Sequence, residues 1–215
     1  MQHDRGLIKR YEAGERDFSG TDLSGIKLYG SKLIEIDLSG ADFSNANLEN
    51  ARLSDVDLSG ADFSNANLEN ARLSDVDLND ANFSYANLRN IRIRGRVHNA
   101  DFSHANLTGA NLSYAKLGKA NLSHVNLTGA NLQNTSLSSA NLQSANLTQA
   151  KLGRAVFFSS YEKDKNRKDK ANRLVLENLS NLRLYRIKTG VIDMYFVGKT
   201  EDGDWICIQT KAIET

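Results

Sequence analysis

Residues 39–58 read SGADFSNANLENARLSDVDL, and residues 59–78 read the same twenty letters again. A shorter rhythm runs inside the unit. Phe43, Leu48, Leu53 and Leu58 fall five apart, and Ala41, Ala46, Ala51 and Val56 stand two places before them. Such repetition decides the fold before secondary structure does, because a repeat that cannot bury its apolar face alone must stack on copies of itself. A period of five matches neither the 3.6 of a helix nor the 2 of a strand. Both apolar positions point to one side only if the backbone turns once per repeat, leaving three residues in five to water.

Worked outward, the central apolar position runs from Phe18 in steps of five to Ile93, then Val97, then from Phe102 in steps of five to Phe157. These 29 repeats all carry Leu, Ile, Val or Phe at the centre, and 18 carry Ala two places earlier, so the interior predicted is narrow and apolar. If four repeats close one square coil, residues twenty apart stack, as the recurrence of Phe43, Phe63 and Phe83 requires. Coils hydrogen-bonded like strands lie about 4.8 Å apart, so seven coils span roughly 34 Å. The rhythm has one fault, where Ile93 and Val97 are only four apart. Either the repeat Gly95–Asn99 follows a one-residue deletion, with Gly95 at the small position and Phe102 continuing the phenylalanine column, or a bulge after Ile93 moves Phe102 one face away.

Stretches such as ADFSN, ANLEN, ANLTG and ANLQS resemble the pentapeptide-repeat family over residues 16–158. The resemblance implies an all-β solenoid, a right-handed quadrilateral β-helix, and it implies fold more strongly than function. Solenoid ends expose coil edges that need covers. Residues 1–15 are expected to supply one as a short helix between Asp4 and Ala13, with Leu7, Ile8 and Tyr11 on one side and Gly14 as its stop. Residues 159–215 are expected to form a small α+β tail. Val175, Leu179 and Leu182 have helical spacing there, and Val191–Val197 and Trp205–Gln209 flank a Glu201-Asp202-Gly203 turn as a hairpin.

Composition narrows the function classes. The 215 residues include 27 basic and 26 acidic side chains, no proline and one cysteine, Cys207, which excludes an internal disulfide and a cysteine-rich zinc site. No apolar run of about 18 residues marks a membrane span, and no apolar segment with a small-residue cleavage site follows Met1, so a cytoplasmic protein is expected. An interior filled by Ala and Leu leaves no room for a substrate, so the reading is non-enzymatic, with no cofactor. His104 and His124, twenty apart, share a column with Tyr85 under the deletion reading. A metal site there would need a third ligand, so a surface pair is expected.

Charge is polarised along the chain. Residues 16–88 carry 5 basic and 13 acidic side chains, and residues 89–157 carry 8 basic and 1 acidic. That polarity steers a partner along the axis or favours head-to-tail contact. Gyrase-directed relatives in the resembled family are understood to imitate DNA with a continuous acidic surface, whereas the acidity here stops halfway. Arg52, Arg72 and Arg92 stack at twenty and repel unless Asp55, Asp75 and Asp77 offset them. Arg89, Arg92, Arg94, Arg96 and His98 form the densest basic cluster, read either as a partner-binding patch or as a surface patch paired with Glu69 and Asp101. The absence of interleaved aromatics speaks against nucleic acid.

The tail carries a second resemblance. Leu179–Thr215, LSNLRLYRIKTGVIDMYFVGKTEDGDWICIQTKAIET, is similar to the C-terminal part of the nuclease A inhibitor family in its YR pair, its D-x-Y-x-x-G-x-T-x-x-G pattern and its T-K-x-x-E-T ending. The resemblance implies a nuclease partner approached by the chain end, here Glu214 and Thr215, with Trp205 on the same tail. That family's N-terminal half has no counterpart in this chain. The sequence thus reads as a scaffold binding a protein partner through the tail or a coil face. The alternative is an inhibitor, acting on a nuclease through the tail or on a DNA-handling enzyme such as gyrase through the acidic coils.

Overall fold

The computed structural model describes residues 3–152 and 155, together with the backbone of three strands between residues 183 and 212. Helix α1, His3–Glu12, leads into a parallel β-solenoid. Strands β1 (Lys32–Asp37), β2 (Arg52–Asp57), β3 (Arg72–Asp77) and β4 (Arg92–Arg96) stack in chain order as one parallel sheet. Elsewhere single parallel bridges join the coils, from Asp17 opposite Asp37 to Asn131 opposite Lys151. Bridged residues are twenty apart except across the fault, where Asn82 meets Asp101. Four repeats therefore close each coil, one per side.

The backbone turns because one residue per repeat is left-handed. From Phe18 to Leu147 the residue two places after each centre has φ between 53° and 69°, with Gly95 the exception. Only some of these stations hold Gly; many hold Asn or Asp, the other residues that tolerate this region. The turn closes when the next repeat's small residue donates its amide to the centre's carbonyl, as Ala46 does to Phe43 at 3.0 Å. Asp or Asn just before the centre supports it by accepting the amide two places on: Ser44 donates to Asp42 and Ser103 to Asp101, each at 2.8 Å. Between coils the centre's amide bonds the next level, as Phe43 to the Asp62 carbonyl at 2.7 Å.

These bonds set the core. Phe43, Phe63, Phe83 and Phe102 are fully buried, with ring centroids 4.8, 4.8 and 4.9 Å apart and planes within 4°. Leu122 and Leu142 continue the column. Thr135 is buried at a small position because its hydroxyl donates to the Leu112 carbonyl at 2.8 Å.

The unbroken ring column settles the fault as a deletion. In the pairing of β3 with β4, Ser74 lies opposite Arg94 and Val76 opposite Gly95, so Asp75 has no counterpart. What is missing is the left-handed residue of that repeat. The shortened chain passes so close to β3 that a Cβ on Gly95 would stand 2.1 Å from the Val76 carbonyl oxygen, so only glycine fits.

Helix α1 lies one residue N-terminal of the stretch expected. Leu7 is buried in the core, Ile8 and Tyr11 pack against it, and the Tyr11 hydroxyl accepts the Ile34 amide at 3.0 Å. Arg10 pairs with Glu15, and this hydrogen bond holds the Glu15 carboxyl below the ordinary range. The hydroxyl of Ser19, helped by its amide, does the same for Asp17.

At the other end, β5 (Arg183–Thr189), β6 (Val191–Lys199) and β7 (Trp205–Ala212) form a separate three-stranded antiparallel sheet in the order β5-β6-β7. Its pairings begin with Thr189 opposite Val191 and Lys199 opposite Trp205. This corrects the two-stranded hairpin expected, because β5 pairs the second edge of β6 where a lone hairpin is marginal. The helix expected around Val175, Leu179 and Leu182 lies outside the described residues.

Phe63→Ala should cost about 3–5 kcal/mol, while Phe63→Leu should cost much less because Leu122 already fills the same column. Gly95→Ala should cost about 1–3 kcal/mol by forcing β4 off β3. Urea midpoints check all three. Because the Glu15 and Asp17 carboxyls are depressed, what they add to the N-terminal end is present at neutral pH and is lost as pH falls below about 4. The Ile34 amide shift, followed by NMR, should then move toward that of a Tyr11→Phe variant.

Candidate interaction surface

With both apolar stations turned inward, every outward side chain is repeated in a ladder at the coil spacing. One ladder is basic: Lys32, Arg52, Arg72 and Arg92 lie opposite one another across β1–β4. All four are exposed, and none makes an ion pair within the described residues. A second ladder changes sign. Asp17, Asp37, Asp57 and Asp77 follow in register, and then Arg96 and Lys116 take the same station. The polarity seen in the sequence thus appears in this column as a change of sign between Asp77 and Arg96.

The five basic residues adjacent in sequence do not form one patch. Arg89 belongs to the side centred on Leu88, Arg92 and Arg94 flank Ile93, and Arg96 and His98 flank Val97, so they form a belt over three sides. All five are exposed. Arg89 approaches Glu69 at 4.0 Å, as expected, whereas Arg96 pairs with Asp77 at 3.3 Å. Asp101, expected as a partner, instead accepts the Ser103 amide and the Asn121 side chain. Among the described residues, Arg92 and Arg94 are left without an acid. The deletion also removes, from the side that carries Arg92, the corner station that Glu35, Asp55 and Asp75 occupy in the preceding coils.

Tyr85, His104 and His124 do share a column. Their rings stack at 4.8 and 4.7 Å, and all three sit at the left-handed station with φ of 60°, 60° and 56°. Among the described residues no three His, Cys, Asp or Glu gather as a metal site, and no helix is long and apolar enough to cross a membrane. Trp205 opens β7, while Glu214 and Thr215 lie outside the described residues. The sign-changing ladder was not anticipated, although reading the residue before each centre at a spacing of twenty would have revealed it.

Residues 26–96 match the family description "Pentapeptide repeat region", and residues 97–123 and 120–157 match "Pentapeptide repeats (8 copies)". The chain belongs to the pentapeptide-repeat family. Among solved structures it is similar to QnrB1, a plasmid-mediated fluoroquinolone resistance protein, at 21% identity over 73% of this chain and 97% of that one, with a TM-score of 0.45. It is also similar to HetL, a pentapeptide repeat protein involved in heterocyst differentiation regulation from the cyanobacterium Nostoc sp. Strain PCC 7120. There the identity is 26% over 71% and 91% of the two chains, with a TM-score of 0.27. A further pentapeptide repeat protein from Nostoc Pcc 7120 is 35% identical over 56% and 78%, with a TM-score of 0.35. No curated protein matches the chain.

The ion pairs of the belt are exposed, so Arg89→Ala and Arg96→Ala should each shift stability by no more than about 0.5–1 kcal/mol, measured as a urea midpoint.

Proposed function

We propose that the chain is a non-enzymatic scaffold that binds another protein through side chains fixed on its coil faces. The observation supporting this reading is the ladder arrangement: charged groups are held outward at one spacing by a rigid backbone, and the interior is filled. Such a surface is organised before a partner arrives, so little ordering entropy opposes binding. The guanidinium groups of Arg92 and Arg94, which meet no acid among the described residues, are the leading contacts, with Arg89 and Arg96 beside them.

A second reading, inhibition of a nuclease through the tail, is supported by the sheet β5-β6-β7, whose strands pair with one another and not with β1–β4. Trp205, Glu214 and Thr215 would make its contacts, the last two offering oxygen ligands to a nuclease-bound cation. Affinity capture separates the readings, using the full chain, an Arg92→Glu/Arg94→Glu variant and a chain lacking Glu214 and Thr215. Under the scaffold reading, the double substitution loses the captured protein and the shortened chain keeps it. The opposite result, with a nuclease captured and inhibited, establishes the tail reading. A protein retained equally by all three overturns both assignments.

A further inference from the structure

The side of the coil centred on Leu33, Leu53 and Leu73 carries two opposed ladders. Lys32, Arg52 and Arg72 line its leading edge, and Glu35, Asp55 and Asp75 occupy the left-handed corner that ends it. All six are exposed, and none makes an ion pair within the described residues. Between the edges stand Ser54 and Ser74, with the half-buried Ile34 at the same station above them. The side therefore has a positive edge, a low middle and a negative edge, repeated at one spacing.

From this we infer that two copies of the chain associate side by side and parallel through this face. A two-fold axis lying in the interface parallel to the solenoid axis exchanges the edges and keeps each residue at its own coil level. Lys32 then meets Glu35 of the second copy, Arg52 meets Asp55, Arg72 meets Asp75, and each contact occurs twice. A two-fold axis running across the solenoid would instead set cations against cations, so the charge pattern selects the parallel arrangement. The match stops at the fault. There the acidic corner is deleted and Arg94 replaces the serine, and below it Asn111 and Asn131 carry no charge. One solenoid side is narrow, so the dimer falls among the small interfaces of transient complexes, and screening governs it.

Sedimentation equilibrium of the full chain tests this at about 0.02 M and about 0.5 M salt, with the dissociation constant expected to rise at least about tenfold between them. Arg52→Glu/Arg72→Glu leaves both edges mainly acidic and Asp55→Lys/Asp75→Lys leaves both mainly basic, with only the Lys32 and Glu35 level still matched, so each variant alone should be monomeric at low salt. Their equimolar mixture should regain the dimer, a result that general destabilisation does not produce. The fold accepts these residues, since Asp62 occupies the pre-centre station and Lys119 the left-handed one. Should a reversal fail to fold, Arg52→Gln/Arg72→Gln and Asp55→Asn/Asp75→Asn replace it, each expected to weaken association severalfold. A full chain that stays monomeric at low salt, reversal variants that dimerise like the parent, or a mixture that stays monomeric overturns the inference. So does a monomeric chain that retains a single-stranded oligonucleotide through Arg52 and Arg72, which would make the occupant a linear polyanion.

Discussion

One left-handed residue in every five holds this structure together. It turns the chain by a corner per repeat, brings the centre and the small residue to the inside, and delivers each amide to the carbonyl one level away. Asn, Asp and Gly accept that conformation readily, and they fill most of the stations. Tyr85, His104 and His124 also adopt it, histidine being among the residues enriched there, and their rings stack on one another from coil to coil.

A constant coil spacing sets each surface residue beside the one at the same station of the next coil, often of its own kind, which has opposite consequences for neutral and charged side chains. Asparagine ladders satisfy themselves: Asn87 donates to Asn67 at 3.0 Å and Asn141 to Asn121 at 3.1 Å. Aspartate is accommodated where asparagine alternates with it, as when Asn82 donates to Asp62 and Asn121 to Asp101, both at 3.0 Å. A ladder of lysine and arginine has no acceptor among its own members, and a ladder of glutamate and aspartate has no donor among its own. Their charges remain available to something outside the coil, at about 1 kcal/mol per close pair in water.

The fault shows how a single deletion reorganises a surface without disturbing a core. Losing the left-handed residue leaves the phenylalanine column continuous at 4.9 Å, because the inward stations are kept. It removes one acidic corner, brings Gly95 against the Val76 carbonyl, and marks the level at which the aspartate ladder becomes basic. Core register and surface charge are thus separable in this fold.

The five-residue period by itself determined the solenoid and its inward stations, the twenty-residue recurrence gave four repeats per coil, and the spacing of Leu7, Ile8 and Tyr11 marked the covering helix, because each follows from apolar residues seeking burial at a fixed spacing. It also placed Tyr85, His104 and His124 in one column. What only the tertiary structure decided is which charges meet. Arg89 to His98 are contiguous in the chain yet lie over three sides, Arg96 takes Asp77 and not Asp101, and Lys32, Arg52, Arg72 and Arg92 make no ion pair among the described residues. Deletion and bulge are equal in residue count, and only the ring column distinguishes them. Strand β5 escaped the sequence reading because a strand is identified by the edge it pairs with, and that edge is supplied by β6. Contacts between coils join residues twenty apart, so closing the coil, and not local pattern, fixes the surface.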